Sequence, residues 1–167
     1  NLKFVASGAA GIGHSGTGSK IQLMAGNATT AFGEADATTK RNLIAQSFIP
    51  VVPILSAIKL YKSADTGTFT GTVKVAIQAD SSGSPSGSDL TSITLTNAQW
   101  LALSAGEITF QLSTDYYTLT IGSLYWIVIS SSTSDNSNHP NLGTNSAGGY
   151  PNGSSKYKNT TNGWVAI

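Results

Sequence analysis

The segment Gly11-Ile12-Gly13-His14-Ser15-Gly16 has the G-x-G-x-x-G spacing that can wrap a dinucleotide pyrophosphate. That chemistry needs a helix N-terminus directly after the glycines and an acidic residue about twenty positions further on. Here Thr17-Gly18-Ser19-Lys20 leads into a strand-like stretch instead. Glu34 and Asp36 lie near the required offset, but no alternation of strands and helices surrounds them. The phosphate-loop pattern fails as well, because Ser19 separates Gly18 from Lys20. The segment reads as a glycine-rich arm.

Hydrolytic chemistry fares no better. A triad requires a histidine within reach of both a nucleophile and an acid. His14 and His139 sit in glycine-rich and polar stretches, and Asp135 near His139 has no nucleophile motif to serve. Both histidines are expected to be exposed loop residues. Glu34, Asp65 and Glu107 form no visible carboxylate dyad of the glycosidase kind. Asp80, Asp89, Asp115 and Asp135 lie in turn-like contexts, where the side chain closes its own turn. A structural calcium would need several converging oxygens. Asp80 with neighbouring carbonyls, or Asp135 with Asn136 and Asn138, are the places for one, and nothing else in the sequence supports it. No catalytic residue, metal ligand or cofactor is assigned.

Aromatic residues offer a different chemistry, since sugars stack on exposed rings. Trp126 lies within the apolar run Leu124–Ile129 and is expected in the core, and Trp100 is expected to cover one end of the fold. Tyr150, Tyr157 and Trp164 stand among glycines and asparagines, and these three are the candidate ligand contacts. The triplets at Asn27, Asn152 and Asn159 match a glycosylation acceptor, as chance allows in a chain so rich in Asn, Ser and Thr.

The elements that would position these residues are strands. Val73, Val75 and Ile77 alternate with Lys74, Ala76 and Gln78, the period of a strand with one buried and one wet face. Asp80-Ser81-Ser82-Gly83 and Ser84-Pro85-Ser86-Gly87 then supply two turn signals. Further strands are expected at 44–49, 54–62, 90–95, 107–112, 116–121, 124–131, 155–157 and 164–167. Their spacing fits a sandwich or barrel rather than strand–helix–strand units. Asn97–Leu103 is the only helix-like piece, capped by Thr96 or Asn97 and stopped by Gly106. Ser130–Asn145 reads as a long polar loop.

Composition sets the bounds. Charged residues make up 10% of the chain, against about 25% in an average protein, so Ser, Thr, Gly and Asn carry the solvation. The 167 residues suit one domain with a proper core, and a net charge of +1 gives no reason to expect nucleic acid or an anionic membrane. No apolar run reaches the length of a membrane-spanning helix. The absence of cysteine excludes disulfides and thiolate chemistry.

Ala45–Pro50, Ile58–Lys62, Gly71–Gln78 with the turn Asp80–Gly87, and Leu124–Val128 followed by Asn138 and Gly143 form an ordered set of motifs. Over Leu43–Ile167 this order resembles the choice-of-anchor type β-sandwich module of bacterial surface and secreted proteins and of phage structural proteins. The resemblance implies a jelly-roll-like sandwich and a non-enzymatic role in display, adhesion or assembly, with no catalytic residues to carry over. Asn1–Asn42 is not part of that module, and the module runs on past the Gly163-Trp164 position into another strand, whereas this sequence stops at Ile167. The edge left there is expected to be covered by a partner or by the chain's own arm.

The expected protein is therefore an all-β, two-sheet antiparallel sandwich of four or five strands per sheet, at 43–167, with an extended arm at 1–42. Val73, Val75, Ile77, Phe110, Leu112, Trp126 and Val128 should lie in its core. The expected role is a non-enzymatic structural or adhesive unit of an extracellular or virion assembly, such as a phage tail, fibre or capsid-decoration component. Its partners would be copies of itself or other surface proteins. The alternative is a carbohydrate-binding module of a secreted bacterial protein, meeting glycans through the aromatic trio. Within the arm, strands at Leu2–Ala6 and Lys20–Met24 flank a glycine hinge. Ile21 and Leu23 are the residues such a strand would offer to a sheet edge, in a neighbouring subunit ahead of the alternative of its own sandwich.

Overall fold

The alternation of β-branched and polar residues along the chain produces strands, and the strands bury their apolar faces by stacking two sheets. The computed structural model describes residues 4–10, 17–23, 28–33, 41–111, 117–144, 153–159, 161 and 163–166. Among these lie thirteen strands and one short helix. A seven-stranded sheet contains β1 (Phe4–Ala10), β2 (Thr17–Leu23), β3 (Ala28–Ala31), β5 (Ile54–Lys62), β8 (Gly106–Gln111), β9 (Tyr117–Thr118) and β11 (Asn141–Thr144). A six-stranded sheet runs in the order β13 (Trp164–Ala166), β12 (Ser155–Lys158), β4 (Leu43–Phe48), β10 (Tyr125–Ser131), β6 (Val73–Ser81) and β7 (Ser84–Leu95). The fold is the expected all-β, two-sheet sandwich. The seven-stranded sheet is larger than expected because the first 42 residues add β1, β2 and β3 to it, and the six-stranded sheet exceeds the expected four or five by one strand. Pairing is antiparallel throughout except between β2 and β5, which are parallel.

The core is what the strand periodicity demands. Ile58 and Leu60 of β5 lie opposite Phe110 and Ile108 of β8. These meet Ile44, Val73, Val75, Ile77, Ile127 and Ile129 from the other sheet in one cluster. Of the seven expected core residues, Val73, Val75, Ile77, Phe110, Trp126 and Val128 are buried, and Leu112 falls outside the described residues. Trp100 is fully buried against Phe32, edge to face at 6.2 Å. It sits on helix α1 (Asn97–Ala102), where Thr96 accepts from the Gln99 amide and the Gln99 side chain answers the Thr96 amide. The helix ends at Leu103 rather than at Gly106.

Several local expectations are corrected. β6 has no wet face over its central residues: Ala76 and Gln78 are buried as well as Val75 and Ile77. The reason is its interior position, with Ala76 opposite Val128 and Gln78 opposite Trp126 on β10. The first turn signal is a two-residue hairpin turn with positive φ at both Ser82 (51°) and Gly83 (80°), the geometry that matches strand twist. The second signal, Ser84–Gly87, lies inside β7, where the register with β6 shifts and Gly87 donates to the Gln78 side chain at 2.9 Å. The stretch 28–31, expected to be part of an extended arm, is β3 paired with β11. β11 itself interrupts the expected long loop, and β1 extends through Gly8 to Ala10 where a hinge was expected.

The arm folds onto its own chain. β2 lies between β1 and β5, with Ile21 opposite both Ala6 and Ile58, and Leu23 opposite Phe4. It joins the seven-stranded sheet, so it leaves the β13 edge of the six-stranded sheet uncovered among the described residues.

Replacing Ile127 with alanine should cost about 2–5 kcal/mol, since the side chain is fully buried between the sheets. Leu101→Ala, on the exposed side of the helix, should stay within about 0.5 kcal/mol. Urea denaturation of the two variants measures both; equal losses would contradict the placement of the core.

Candidate functional site

The strand alternation that builds the core also divides the expected ligand contacts. Tyr157 lies opposite Val165 and Lys158 opposite Trp164 across β12 and β13. Neighbouring positions on a strand point to opposite faces. Tyr157 accordingly packs against the inter-sheet core, with the Arg41 guanidinium 5.7 Å from its ring centre. Trp164 packs on the outer face of the six-stranded sheet, against Ala45, Trp126 and Val128. The two rings therefore belong to different faces, and Tyr150 lies outside the described residues. Trp164, half-buried, is the described member of the trio that faces outward beside a lysine.

That outer face is a second, smaller core with charged groups at its margins. Trp126 is 1% exposed and donates its indole N–H to Asp80 Oδ1 at 2.7 Å. Asp80 Oδ2 accepts from the Gly83 amide at 3.0 Å, so one carboxylate ties the hairpin turn to β10. Lys156 reaches from β12 with its Nζ 5.6 Å from the Trp126 ring centre and donates to the Gly83 carbonyl and to Ser84 Oγ. At the other margin Lys74 pairs with Asp89 at 2.8 Å, and Gln78 donates to the same carboxylate at 2.9 Å. Burial works to raise the Asp89 pKa, but the Lys74 and Gln78 hydrogen bonds and the Lys74 charge together hold it below the ordinary 3.8.

A second concentration of polar groups closes the far end of the sandwich. Lys62 is in phase with Ile58 and Leu60 and faces inward, where its Nζ lies 3.2 Å from Asp65 Oδ2 and 5.1 Å from the centre of the Trp100 ring. The Trp100 indole donates to both Asp65 oxygens, at 3.0 and 3.1 Å. Asn141 binds the same loop through the Ala64 carbonyl at 2.8 Å and Thr66 Oγ1 at 3.0 Å. His139, expected on the surface, is 6% exposed, because Thr66 and His139 exchange backbone hydrogen bonds of 2.9 and 3.0 Å that draw their two loops together. His14 falls outside the described residues.

Both places considered for calcium have their carboxylates occupied by N–H donors. Asp80 serves Trp126 and Gly83, as above. Asp135 accepts from the Ser137 and Asn138 amides at 2.7 and 2.8 Å and from the Asn138 side chain at 3.2 Å. These hydrogen bonds, with His139 nearby, lower the Asp135 pKa against a small opposing effect of desolvation. The shallow groove lined by Asp135, Asn136, Ser137 and Asn138 is the concavity of that one turn. Among the described residues no three His, Cys, Asp or Glu side chains converge on a metal position.

The sequence assigned no role to Lys62 or Lys156, and Asp65 was weighed only for a carboxylate dyad. The parity of Ile58, Leu60 and Lys62 was the available signal for an inward lysine. Lys156 carried no such signal, because its partners lie 72 and 73 positions away in sequence.

Lys62→Met should destabilise the chain by about 3–5 kcal/mol, since it leaves the Asp65 carboxylate buried without its counter-ion. The double variant Lys62→Met/Asp65→Asn should lose less than the sum of the single losses, as chemical denaturation would show. Asp89 gives a pH signature. Its folded pKa is depressed, so its contribution is full above pH 3.8 and fades as the pH falls through the lowered folded value. Asp89→Asn should flatten that part of the acid limb in a melting-temperature profile; an unchanged limb would contradict the assignment.

Comparison with known proteins returned no match among protein-family models, curated proteins or solved structures.

Proposed function

We propose that this chain is a non-enzymatic structural and adhesive unit of an extracellular or virion assembly, such as a phage tail, fibre or capsid-decoration component. One observation carries the reading: each described acid serves the scaffold. Asp65 pairs with Lys62, Asp80 with Trp126 and Gly83, Asp89 with Lys74 and Gln78, Glu107 with Lys59, and Asp135 with its own turn. Carboxylates used this way hold loops and strands in place rather than moving protons for a substrate. The resemblance of Leu43–Ile167 to the choice-of-anchor module supports the same reading. So does the sparsely charged Ser, Thr and Asn-rich sequence, which suits a durable surface more than a steered encounter. The wiring is read as jelly-roll-like, since most connections pass from one sheet to the other. Partners are copies of the chain or other proteins of the same surface.

A second reading, glycan binding, is favoured by Trp164 standing outward beside Lys158 on the six-stranded sheet. Sedimentation of the purified chain and a glycan array separate the two. The assembly reading expects a mass above one chain and no glycan signal. Micromolar glycan binding that is lost in Trp164→Ala, by a chain sedimenting as a single copy, would replace it with the second reading.

A further inference from the structure

The β1 strand ends the seven-stranded sheet, and its outer edge has no partner strand among the described residues. Open edges tend to be blunted by short length, bulges, proline or charge. The other terminal strands carry such devices. β7 has Pro85, Asp89 and two register irregularities, β8 has Glu107, β3 has four residues and β13 has three. β1 has none of them: its seven residues, Phe-Val-Ala-Ser-Gly-Ala-Ala, contain no charge and no proline, and they pair with β2 over seven positions without a shift.

The sequence of β1 also fits itself. An antiparallel pair centred on Ser7 sets Phe4 opposite Ala10, Val5 opposite Ala9, Ala6 opposite Gly8, and Ser7 opposite Ser7. Each larger residue then meets a small one, and no like charges face each other. A two-fold interface requires this reciprocity, in which position i of one copy meets j of the other and j meets i. With a net charge of +1 per chain, little repulsion opposes the approach of two copies.

We propose that β1 is a homodimer interface, pairing antiparallel with β1 of a second copy so that the two seven-stranded sheets become one. The inference rests on the assembly reading and names the partner: another copy of this chain, held by backbone hydrogen bonds along the edge.

The absence of cysteine makes the test direct. Ser7→Cys places one thiol from each copy at the two-fold axis, at a Cα separation of about 4.5–5.5 Å, which a disulfide can span. Under a mild thiol oxidant it should form a covalent dimer on the order of tenfold faster than Thr109→Cys, an exposed position on β8, because pairing raises the local concentration. Ser7→Glu, whose carboxylate would stand opposite Lys20 within the chain, should leave the circular dichroism spectrum unchanged and reduce the sedimenting mass, by setting two carboxylates face to face across the two-fold axis. Equal crosslinking rates for the two cysteine variants would overturn the proposal, whether or not Ser7→Glu folds. An unmodified chain that assembles with a mass untouched by Ser7→Glu would reject this interface and leave the assembly reading standing. A single-copy mass at all concentrations would reject both.

Discussion

Strand β10 is buried on both of its faces, and the rest of the molecule is arranged around that fact. Its inward residues Ile127 and Ile129 join the inter-sheet core, while Trp126 and Val128 build a second cluster on the outside of the same sheet. A strand covered twice cannot face water anywhere along its middle, so its neighbours must supply apolar or small residues on both sides. Ala45 of β4 and Ala76 of β6 do so by lying opposite Val128. The Trp126 indole needs a partner for its N–H, and Asp80 supplies it. That requirement fixes the hairpin turn after β6, and Lys156 secures the turn by crossing the same outer face from β12.

The far end of the sandwich obeys the same logic with different residues. Trp100 closes the core there, and its N–H is answered by Asp65, whose charge is in turn balanced by Lys62. In both places an indole is buried with its N–H bound to a carboxylate, and a lysine sits near the ring. Four charged residues, Lys62, Asp65, Asp80 and Lys156, are thus placed where a large aromatic residue had to be accommodated. Gly71 shows how closely the loops at this end approach. A Cβ there would stand 1.5 Å from the Ser132 carbonyl oxygen, so only glycine fits.

What could be read from the sequence follows from where the physics is local. The strand at Ile54–Lys62 was legible to its last residue, because its ends are marked by proline and a polar loop and its interior alternates. The capped helix was legible because Thr96 and Gln99 satisfy each other within four residues. β3 was not, since Ala-Thr-Thr-Ala has no apolar period and its pairing with Asn141–Thr144 is wholly tertiary. The division of Tyr157 and Trp164 between two faces depends on the register of β12 with β13, which composition does not specify. The burial of His139 likewise depends on a bridge to Thr66, 73 positions away, and not on its own polar surroundings.

Two buried indoles, each held by a carboxylate, anchor the two ends of the sandwich. Native-state hydrogen exchange at the Trp126 and Trp100 indole N–H groups, followed by NMR, tests it most directly. Both should exchange as slowly as the backbone amides of β10, and Asp80→Ala should selectively accelerate Trp126. Rapid exchange of either indole in the unmodified chain would contradict it.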